Sequence, residues 1–234
     1  MWTVMAYDLI VFDWDGTLMD SIGTIVACAQ RTLADQGLPA VLDHQIRDLV
    51  GLRLLTIAER LIGGHDPSLH ARFVEIYSQH WRTTFRGQLF PLSCSGAVLQ
   101  ALADRYQMMA VATGKSRRGL ETDLDSTGFR RYFAATRTVD ESPSKPSPGM
   151  VLELMDELGV RPDKTLVVGD TTHDVLMARN AEVDVVGVLS GSHGESVLRE
   201  AGALECLRDV GKLLAWLDRP VSSTGTSSGP QTAS

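Results

Sequence analysis

Two carboxylates lie close together near the start of the chain, in the segment FDWDGTL at residues 12–18. Alternate residues of an extended chain point to the same side, so Asp13 and Asp15 can face one reacting centre. Gly16 allows the backbone to turn sharply and to approach a ligand closely. A strand followed by an Asp-Gly turn is common in any protein, but paired carboxylates also serve as nucleophile and general acid or base. This segment is the first candidate for catalysis.

A phosphate-binding corner is indicated by VATGKS at residues 111–116, where an apolar run gives way to a polar turn. The hydroxyl of Thr113 and the amides that follow it around Gly114 are typical of an anion site at a helix N-terminus. The letters GKS also end the NTPase phosphate loop, G-x-x-x-x-G-K-[ST], but that loop requires glycine at the position of Met109. The sequence therefore predicts a phosphate corner and excludes an NTPase loop.

A lone lysine and a second acidic pair complete the candidates. Lys145 lies in the proline-rich segment SKPSP, residues 144–148. A lysine in such a loop is usually solvated, but the flanking prolines would hold its stem and suit a fixed positive charge for a phosphoryl group. Asp170 and Asp174 belong to GDTTHD at residues 169–174, and either carboxylate alone is equally consistent with a helix cap. His173 is expected at the surface or behind the ligands.

Short apolar runs predict the buried strands that must position these residues. The runs are Leu9–Phe12, Met108–Ala112, Thr165–Val168 and Val185–Leu189. Helical spacing of apolar residues is found around residues 98–102, 151–158 and 213–217. This alternation favours an α/β fold with a doubly wound, Rossmann-like parallel sheet, in which ligands bind beyond the carboxyl ends of the strands. The first three runs each lead directly into candidate residues.

The interval between residues 19 and 88 has no strand-like run and interrupts the α/β pattern after its first strand. Apolar residues keep helical spacing here, and Asp66-Pro67 has the pattern of an N-cap followed by a first-turn proline. We expect an all-helical cap at residues 19–88, inserted into an α/β core formed by residues 1–18 and 89–219. An insertion at this position lies over the strand ends, where a lid belongs.

Composition and charge restrict the classes of function. The 234 residues carry a formal net charge of −7, and an acidic chain without a basic stripe argues against nucleic-acid or anionic-membrane partners. No apolar run approaches the roughly 18 residues needed to cross a bilayer. Cys28, Cys94 and Cys206 are scattered and fit neither a disulfide framework nor a zinc site, so we expect free thiols and a cytoplasmic location. The uncharged, Ser/Thr/Gly/Pro-rich residues 220–234 are expected to form a disordered tail.

Together these motifs resemble those of the haloacid dehalogenase superfamily, over residues 7–217. The D-x-D-G-T-L motif begins at Asp13, Thr113 and Lys145 match the second and third motifs, and G-D-x-x-x-D ends at Asp174. The helical insert resembles the C1 cap of that superfamily.

Two further segments, VGLR at residues 50–53 and TGKSR at residues 113–117, are most similar to the branch of phosphoglycolate phosphatase and β-phosphoglucomutase. The segment FPLS at residues 90–93 departs from that branch, which usually has glycine after the proline. The departure weakens the analogy at the cap hinge and affects no catalytic position.

The resemblance implies Mg²⁺-dependent hydrolysis of a small phosphate monoester through an aspartyl-phosphate intermediate. It implies Asp13 as the nucleophile and Asp15 as the group that protonates the leaving alkoxide and then deprotonates water. It also implies that Mg²⁺ is held by Asp13, the backbone carbonyl of Asp15, and Asp170, an oxygen ligand set that suits magnesium.

The same resemblance implies how the phosphoryl group is held: Thr113, Gly114 and Lys145 bind it, and Asp174 holds Lys145 or a metal-bound water. Arg53 lies between two helical patterns, and we expect its guanidinium to pair with a substrate carboxylate or distal phosphate. The plain alternative is a solvated arginine. The first candidate substrate is 2-phosphoglycolate, while sugar phosphates and nucleoside monophosphates remain open.

Three other functions are alternatives to the phosphatase. A dehalogenase of the superfamily does not need an acid at the second position of D-x-D, so Asp15 argues for phosphoryl transfer. A phosphosugar mutase of the β-phosphoglucomutase type would use the same core and stays open. A non-catalytic phosphate-binding protein on this fold would be expected to have lost Asp13, Asp15, Lys145 or Asp170, and the chain keeps them all.

Overall fold

The computed structural model describes residues 7–105 and 107–219, so the expected tail at residues 220–234 lies outside the described residues. The strands are β1 (Leu9–Phe12), β2 (Met19–Asp20), β3 (Phe90–Pro91), β4 (Met108–Thr113), β5 (Ala135–Thr138), β6 (Thr165–Gly169), β7 (Asp184–Val188) and β8 (Glu205–Leu207). The helices are α1 (Ile22–Asp35), α2 (Asp43–Arg47), α3 (Leu54–Ile62), α4 (Pro67–His80), α5 (Ser95–Asp104), α6 (Arg117–Thr127), α7 (Gly149–Leu158), α8 (Thr172–Asn180), α9 (Glu195–Ala201) and α10 (Leu213–Leu217).

Six of these strands form one parallel sheet in the order β5-β4-β1-β6-β7-β8. The chain adds strands to one side of β1 and then to the other, which is the doubly wound, Rossmann-like order predicted from the sequence. Both faces of β1 are covered, because all four of its residues are fully buried. The α/β fold class is therefore confirmed, and β1 lies at the point where the strand order reverses.

The central strands agree with their predicted positions to within one or two residues. The strand expected at Met108–Ala112 continues to Thr113, and the one expected at Val185–Leu189 begins at Asp184 and ends at Val188. The strands β5 and β8 were not predicted. They are short, each has one neighbour in the sheet, and they carry polar residues that interrupt an apolar run.

Helices α1 to α4 lie between β1 and β3 and share an apolar cluster of their own, whose buried members are Val26, Ala29, Leu33, Ile46, Ala58 and Phe73. The predicted helix start at Asp66-Pro67 is confirmed, since the Asp66 side chain accepts a hydrogen bond from Ser68 N at 3.0 Å. After α4 the chain widens into a π-helix at Trp81–Phe85.

The expectation that residues 19–88 hold no strand is wrong at one end. Met19–Asp20 pairs antiparallel with Phe90–Pro91, so a two-residue ladder joins the two connections that lead into and out of the helices. Two-residue strands carry too little periodicity to be read from sequence. The ladder shifts the edge of the helical segment to about Ile22, and the division into core and cap stays a prediction, supported by the separate cluster of the helices.

Candidate active site

The loop after β1 places the first pair of carboxylates at the carboxyl edge of the sheet. Asp13 N donates to Val168 O at 2.8 Å, so the neighbouring strand β6 continues to hold the chain one residue beyond β1. Gly16 then adopts φ +87°, a conformation that L residues rarely take, and its N–H donates to Met19 O at 2.9 Å. The turn thus reverses the chain immediately after Asp13 and Asp15.

Two buried carboxylates meet one buried lysine at this edge. Lys145 Nζ donates to Asp13 Oδ1 in a short contact and to Asp174 Oδ1 at 2.5 Å. The second oxygen of Asp174 accepts hydrogen bonds from Thr171 N at 3.0 Å and Thr171 Oγ1 at 2.7 Å. Lys145, expected in an exposed loop if it had no function, is only 2% exposed. The structure thus brings together Asp13, Lys145 and Asp174 as a single ion-pair cluster.

Asp170 completes this cluster and is enclosed by backbone. Its carboxylate accepts hydrogen bonds from Thr17 Oγ1 at 3.1 Å and Ser192 N at 2.8 Å. A Cβ at Gly16 would come within 2.6 Å of Asp170 Oδ2, and one at Gly191 within 1.9 Å. Glycine is therefore required on both sides of Asp170 by the close approach of two loops.

The charges of this cluster do not balance within the described part of the chain. Lys145 bonds to Asp13 and Asp174, and Asp170 has no cationic partner among the described residues. If all three buried carboxylates were ionised, two negative charges would stay uncompensated. Burial raises the pKa of Asp13 to about 7, although Lys145 lowers it, and burial raises the pKa of Asp170 well above its ordinary value. Asp174 is also buried, but Lys145 and the hydrogen bonds from Thr171 lower its pKa.

This imbalance fits a divalent cation. One ligand oxygen from each of Asp13, Asp170 and Asp174 can lie within 4.8 Å of the others, and all three residues are buried. Carboxylate oxygens are the ligands that Mg²⁺ prefers. The pKa values of Asp13 and Asp170 are raised while that of Asp174 is lowered, so Asp13 and Asp170 are the carboxylates with the greater need of a counter-charge.

A cavity of about 540 Å³ opens from Asp13 and Asp15 toward the helices α1, α3 and α4. Its floor includes the predicted phosphate corner at Thr113 and Gly114, which ends β4. A Cβ at Gly114 would come within 2.1 Å of Gly51 O, so glycine is required where the helical segment touches the core. The remaining wall is largely apolar and is formed by side chains such as Ile25, Leu54, Ile57, Val74, Tyr77 and Trp81.

Arg53 also lines this cavity, as the residue that precedes α3. Its backbone N–H donates to Ser144 Oγ at 3.1 Å, which ties it to the loop that carries Lys145. Its side chain is exposed and makes no hydrogen bond or ion pair within residues 7–105 and 107–219. The placement leaves the guanidinium available to a ligand, and its role stays a prediction.

Sequence reasoning missed a second ion-pair cluster beside Asp15. Lys115 Nζ lies 3.1 Å from both carboxylate oxygens of Asp15 and 3.3 Å from Asp123 Oδ2. Burial alone would lower the pKa of Lys115, but Asp15 and Asp123 raise it, so its ammonium stays charged. In the sequence, Lys115 belongs only to the segment GKS, and Asp123 in α6 belongs to no motif. Their contact with Asp15 could therefore not be predicted from residue spacing.

Comparisons with known proteins agree with this geometry. Residues 10–188 match the family model described as haloacid dehalogenase-like hydrolase. The chain is 30% identical to a phosphoglycolate phosphatase of Vibrio parahaemolyticus, over 81% of this chain and 87% of that protein. It is 31% identical to phosphoglycolate phosphatase 1 of Pseudomonas aeruginosa, over 86% of this chain and 78% of that one.

Among solved structures, a hydrolase from Pseudomonas syringae superposes with a TM-score of 0.83 at 26% identity, covering 92% of this chain and 98% of that one. The described residues include no helix long and apolar enough to span a membrane. With its motifs, its sheet order and its relatives in agreement, the chain belongs to the haloacid dehalogenase-like hydrolase family and is an enzyme of the phosphoric monoester hydrolase class.

Proposed function

We propose that the chain is a Mg²⁺-dependent phosphatase that hydrolyses a small phosphate monoester through a phosphorylated Asp13. The observation that carries the proposal is the buried cluster of Asp13, Asp170 and Asp174, in which Lys145 bonds to Asp13 and Asp174 and Asp170 has no cationic partner among the described residues. A carboxylate that attacks an anionic phosphate needs positive charge beside it, both to reduce repulsion and to stabilise the equatorial oxygens. Lys145 supplies part of that charge.

The carboxylates of Asp13 and Asp170, together with the backbone carbonyl of Asp15, would hold the magnesium ion. When bound, the ion supplies the remaining positive charge at the phosphoryl oxygens. Asp174 holds Lys145 in position through its 2.5 Å contact.

Two half-reactions follow from the side chains. In the first, an oxygen of Asp13 forms a bond to phosphorus while the bond from phosphorus to the leaving alkoxide breaks, and Asp15 donates a proton to that alkoxide. In the second, Asp15 takes a proton from water as the water oxygen attacks phosphorus, which releases phosphate and restores the carboxylate of Asp13. Thr113 and Lys145 bind the phosphoryl group in both steps.

The first candidate substrate is 2-phosphoglycolate, because two relatives at about 30% identity are named phosphoglycolate phosphatases. Arg53 supports this choice, since it lines the same cavity as Asp13, and its guanidinium, without a partner in residues 7–105 and 107–219, suits a substrate carboxylate. The volume of the cavity favours a second candidate, a larger sugar phosphate or nucleoside monophosphate, because about 540 Å³ exceeds what a two-carbon acid fills.

A screen of phosphorylated metabolites with Mg²⁺ tests the proposal when both released phosphate and isomerised product are scored. We expect phosphate release from at least one monoester, loss of that release with a chelator, and none from the Asp13→Asn variant. Isomerised product without net phosphate would instead support the mutase, which uses the same core.

The proposal places the enzyme in the cytoplasm, supported by the free state of Cys28, Cys94 and Cys206.

A further inference from the structure

In the ion-pair cluster around Asp15, the other two members have no part in the half-reactions described above. The cluster consists of Lys115 from the turn after β4, Asp123 from α6, and Asp15 itself. The side chains are 9%, 6% and 13% exposed, respectively, so the cluster is largely shielded from water. The chain has four lysines against eighteen arginines, and two of the four are Lys145 and Lys115 at this site.

The ammonium of Lys115 is surrounded by carboxylate oxygens of the protein. A lysine ammonium has three N–H donors, and three carboxylate oxygens lie around Lys115 Nζ. These are Asp15 Oδ1 and Oδ2, each at 3.1 Å, and Asp123 Oδ2 at 3.3 Å. The positive charge of Lys115 is therefore already paired with protein carboxylates. In this respect Lys115 differs from Arg53, whose guanidinium has no protein partner among the described residues.

The position of Asp123 is itself fixed by the catalytic loop. Trp14, which lies between Asp13 and Asp15 in sequence, donates from Nε1 to Asp123 Oδ2 at 3.0 Å. Trp14 is fully buried and packs edge-on against Phe129 and Phe133. Through Asp123 and Trp14, Lys115 is therefore linked to the loop that carries Asp13 and Asp15.

The helical segment supplies the last contact. Lys115 Nζ lies 5.1 Å from the centroid of the Trp81 ring, within the range of a cation–π interaction. Trp81 begins the π-helix, and its ring stacks on Tyr77 at 5.9 Å with an interplanar angle of 12°. One ammonium thus contacts the acid–base residue, the core helix α6 and the helical segment above the cavity.

We propose that Lys115 is the positioning residue that fixes the Asp15 carboxylate toward the reacting centre, with Asp123 and Trp81 holding Lys115 in place. The inference rests on the proposed function, because it assigns Lys115 to act through the acid–base role of Asp15. With both oxygens bonded to one ammonium, the carboxylate plane is restrained, and a proton donor or acceptor that is displaced by about 1 Å can cost on the order of a hundredfold in rate.

The test compares Lys115→Met, which keeps the length of the stem without its charge, with Lys115→Arg and the exposed-site control Lys212→Met. Two probe substrates are used with Mg²⁺: glycerol 2-phosphate, whose alkoxide needs an acid, and p-nitrophenyl phosphate, whose phenolate needs little. We expect Lys115→Met to lower kcat for glycerol 2-phosphate by at least about tenfold with KM changed less than about twofold. The pre-steady-state release of p-nitrophenol should change far less, Lys115→Arg should recover part of kcat, and Lys212→Met should match the parent enzyme.

A rise in KM with unchanged kcat would overturn the inference, because it would make Lys115 a substrate ligand. An equal loss in kcat for glycerol 2-phosphate and in the pre-steady-state release of p-nitrophenol would overturn it as well. If Lys115→Met does not fold, Asp123→Asn provides the second test, since it weakens the hold on Lys115 while keeping an oxygen acceptor for Trp14. Asp123→Asn should also lower kcat for glycerol 2-phosphate more than the release of p-nitrophenol, by a smaller factor than Lys115→Met. An equal loss in both quantities would count against the inference.

A double-mutant cycle separates this inference from the proposed function. If Lys115 acts through Asp15, then Lys115→Met should cost almost nothing more in an Asp15→Asn background. An Asp15→Asn enzyme without a selective deficit on glycerol 2-phosphate would contradict the proposed role of Asp15. A selective deficit in Asp15→Asn that is absent from Lys115→Met would contradict the role of Lys115 alone.

Discussion

The proton that Asp15 donates to the leaving group leads to a prediction for the Asp15→Ala variant. Asp15→Ala should slow both half-reactions, and the loss for an alkyl phosphate should be on the order of a hundredfold or more, as for other general acids. With p-nitrophenyl phosphate the leaving group needs less help, so the deficit in the first half-reaction should shrink. Stopped-flow measurement of p-nitrophenol release checks this, and an equal deficit with both substrates would count against Asp15 as the acid.

Arg53 carries the prediction about substrate choice. Its side chain lines the cavity without a protein partner among the described residues, so Arg53→Ala removes a group that only a ligand can engage. Where the bound substrate buries a distal carboxylate or phosphate against Arg53, we expect a cost of roughly 2–5 kcal/mol in kcat/KM, as when one partner of a buried charge pair is removed. Hydrolysis of p-nitrophenyl phosphate, which has no distal anion, should change little. A uniform loss would assign Arg53 to the fold or to the transferring phosphoryl group.

Single residues were predictable where their types are part of a spaced motif. Asp13, Asp170 and Asp174 follow strand ends at the spacing of the motifs, and the structure brings one oxygen of each within 4.8 Å of the others. Lys145 bonds to Asp13 and Asp174. The partnership of Lys115 with Asp15 was not predictable, because it joins two side chains that are 100 positions apart and depends on how the turn after β4 is packed.

Among the elements, the loop after β7 holds the metal side of the site in place. Ser192 N donates to Asp170 at 2.8 Å, and a Cβ at Gly191 would come within 1.9 Å of the same carboxylate. Gly191→Ala should therefore displace Asp170 and weaken Mg²⁺ binding, so that activity falls at low Mg²⁺ and recovers in part at high Mg²⁺. A titration of activity against Mg²⁺ measures the shift.

Gly194→Ala is the matched control for that variant, because a Cβ at Gly194 would meet nothing within 4 Å. It lies in the same connection and should leave the Mg²⁺ dependence unchanged. If the two variants give the same titration curve, the close approach of Gly191 to Asp170 has no part in holding the ion.

Elements buried on both faces were the predictable ones. β1, β4 and β6 read as apolar runs because helices cover both sides of the sheet. β5 and β8 lie at the two edges, where polar side chains such as Arg137 and Glu205 are tolerated, and their sequences do not differ from those of loops. The two-residue ladder of β2 and β3 depends on tertiary pairing that no local pattern reports.

For the whole molecule, the buried excess of negative charge predicts that stability depends on metal and pH. The pKa of Asp13 is raised from 3.8 to about 7, so between these pH values the folded protein keeps a proton that the unfolded chain has released. The free energy of unfolding of the metal-free protein should therefore fall as pH rises through this window. Asp13→Asn should reduce that dependence, with the part due to Asp170 remaining, and should give a higher Tm than the parent in chelator above pH 7.

Mg²⁺ should raise Tm at neutral pH by binding the folded state alone. At a hundred times Kd, ligand binding contributes about 2.7 kcal/mol, which for a chain of this size corresponds to about 5–10 °C. Differential scanning fluorimetry with Mg²⁺ or chelator measures the change, and Asp170→Asn should reduce it. A Tm that does not respond to Mg²⁺ in the parent would contradict the charge argument.

The overall organisation was predictable because a stretch of about seventy residues with helical spacing cannot belong to a parallel sheet. The sequence placed the helices after β1, and the structure gives them a separate apolar cluster. The cavity between them and the strand ends was not predictable in size, since its walls come from helices α1, α3 and α4 whose mutual packing sets the space.

The central claim is that Asp13 becomes phosphorylated, and the most direct test is to isolate that state. The Asp15→Asn enzyme is mixed with Mg²⁺ and p-nitrophenyl phosphate carrying a radiolabelled phosphoryl group, quenched in acid and digested. We predict a burst of p-nitrophenol and one equivalent of label on the peptide that contains Asp13, released by hydroxylamine and absent when Asp13 is also changed to Asn. A burst of p-nitrophenol with no labelled peptide, or label that persists without Asp13, would contradict the account.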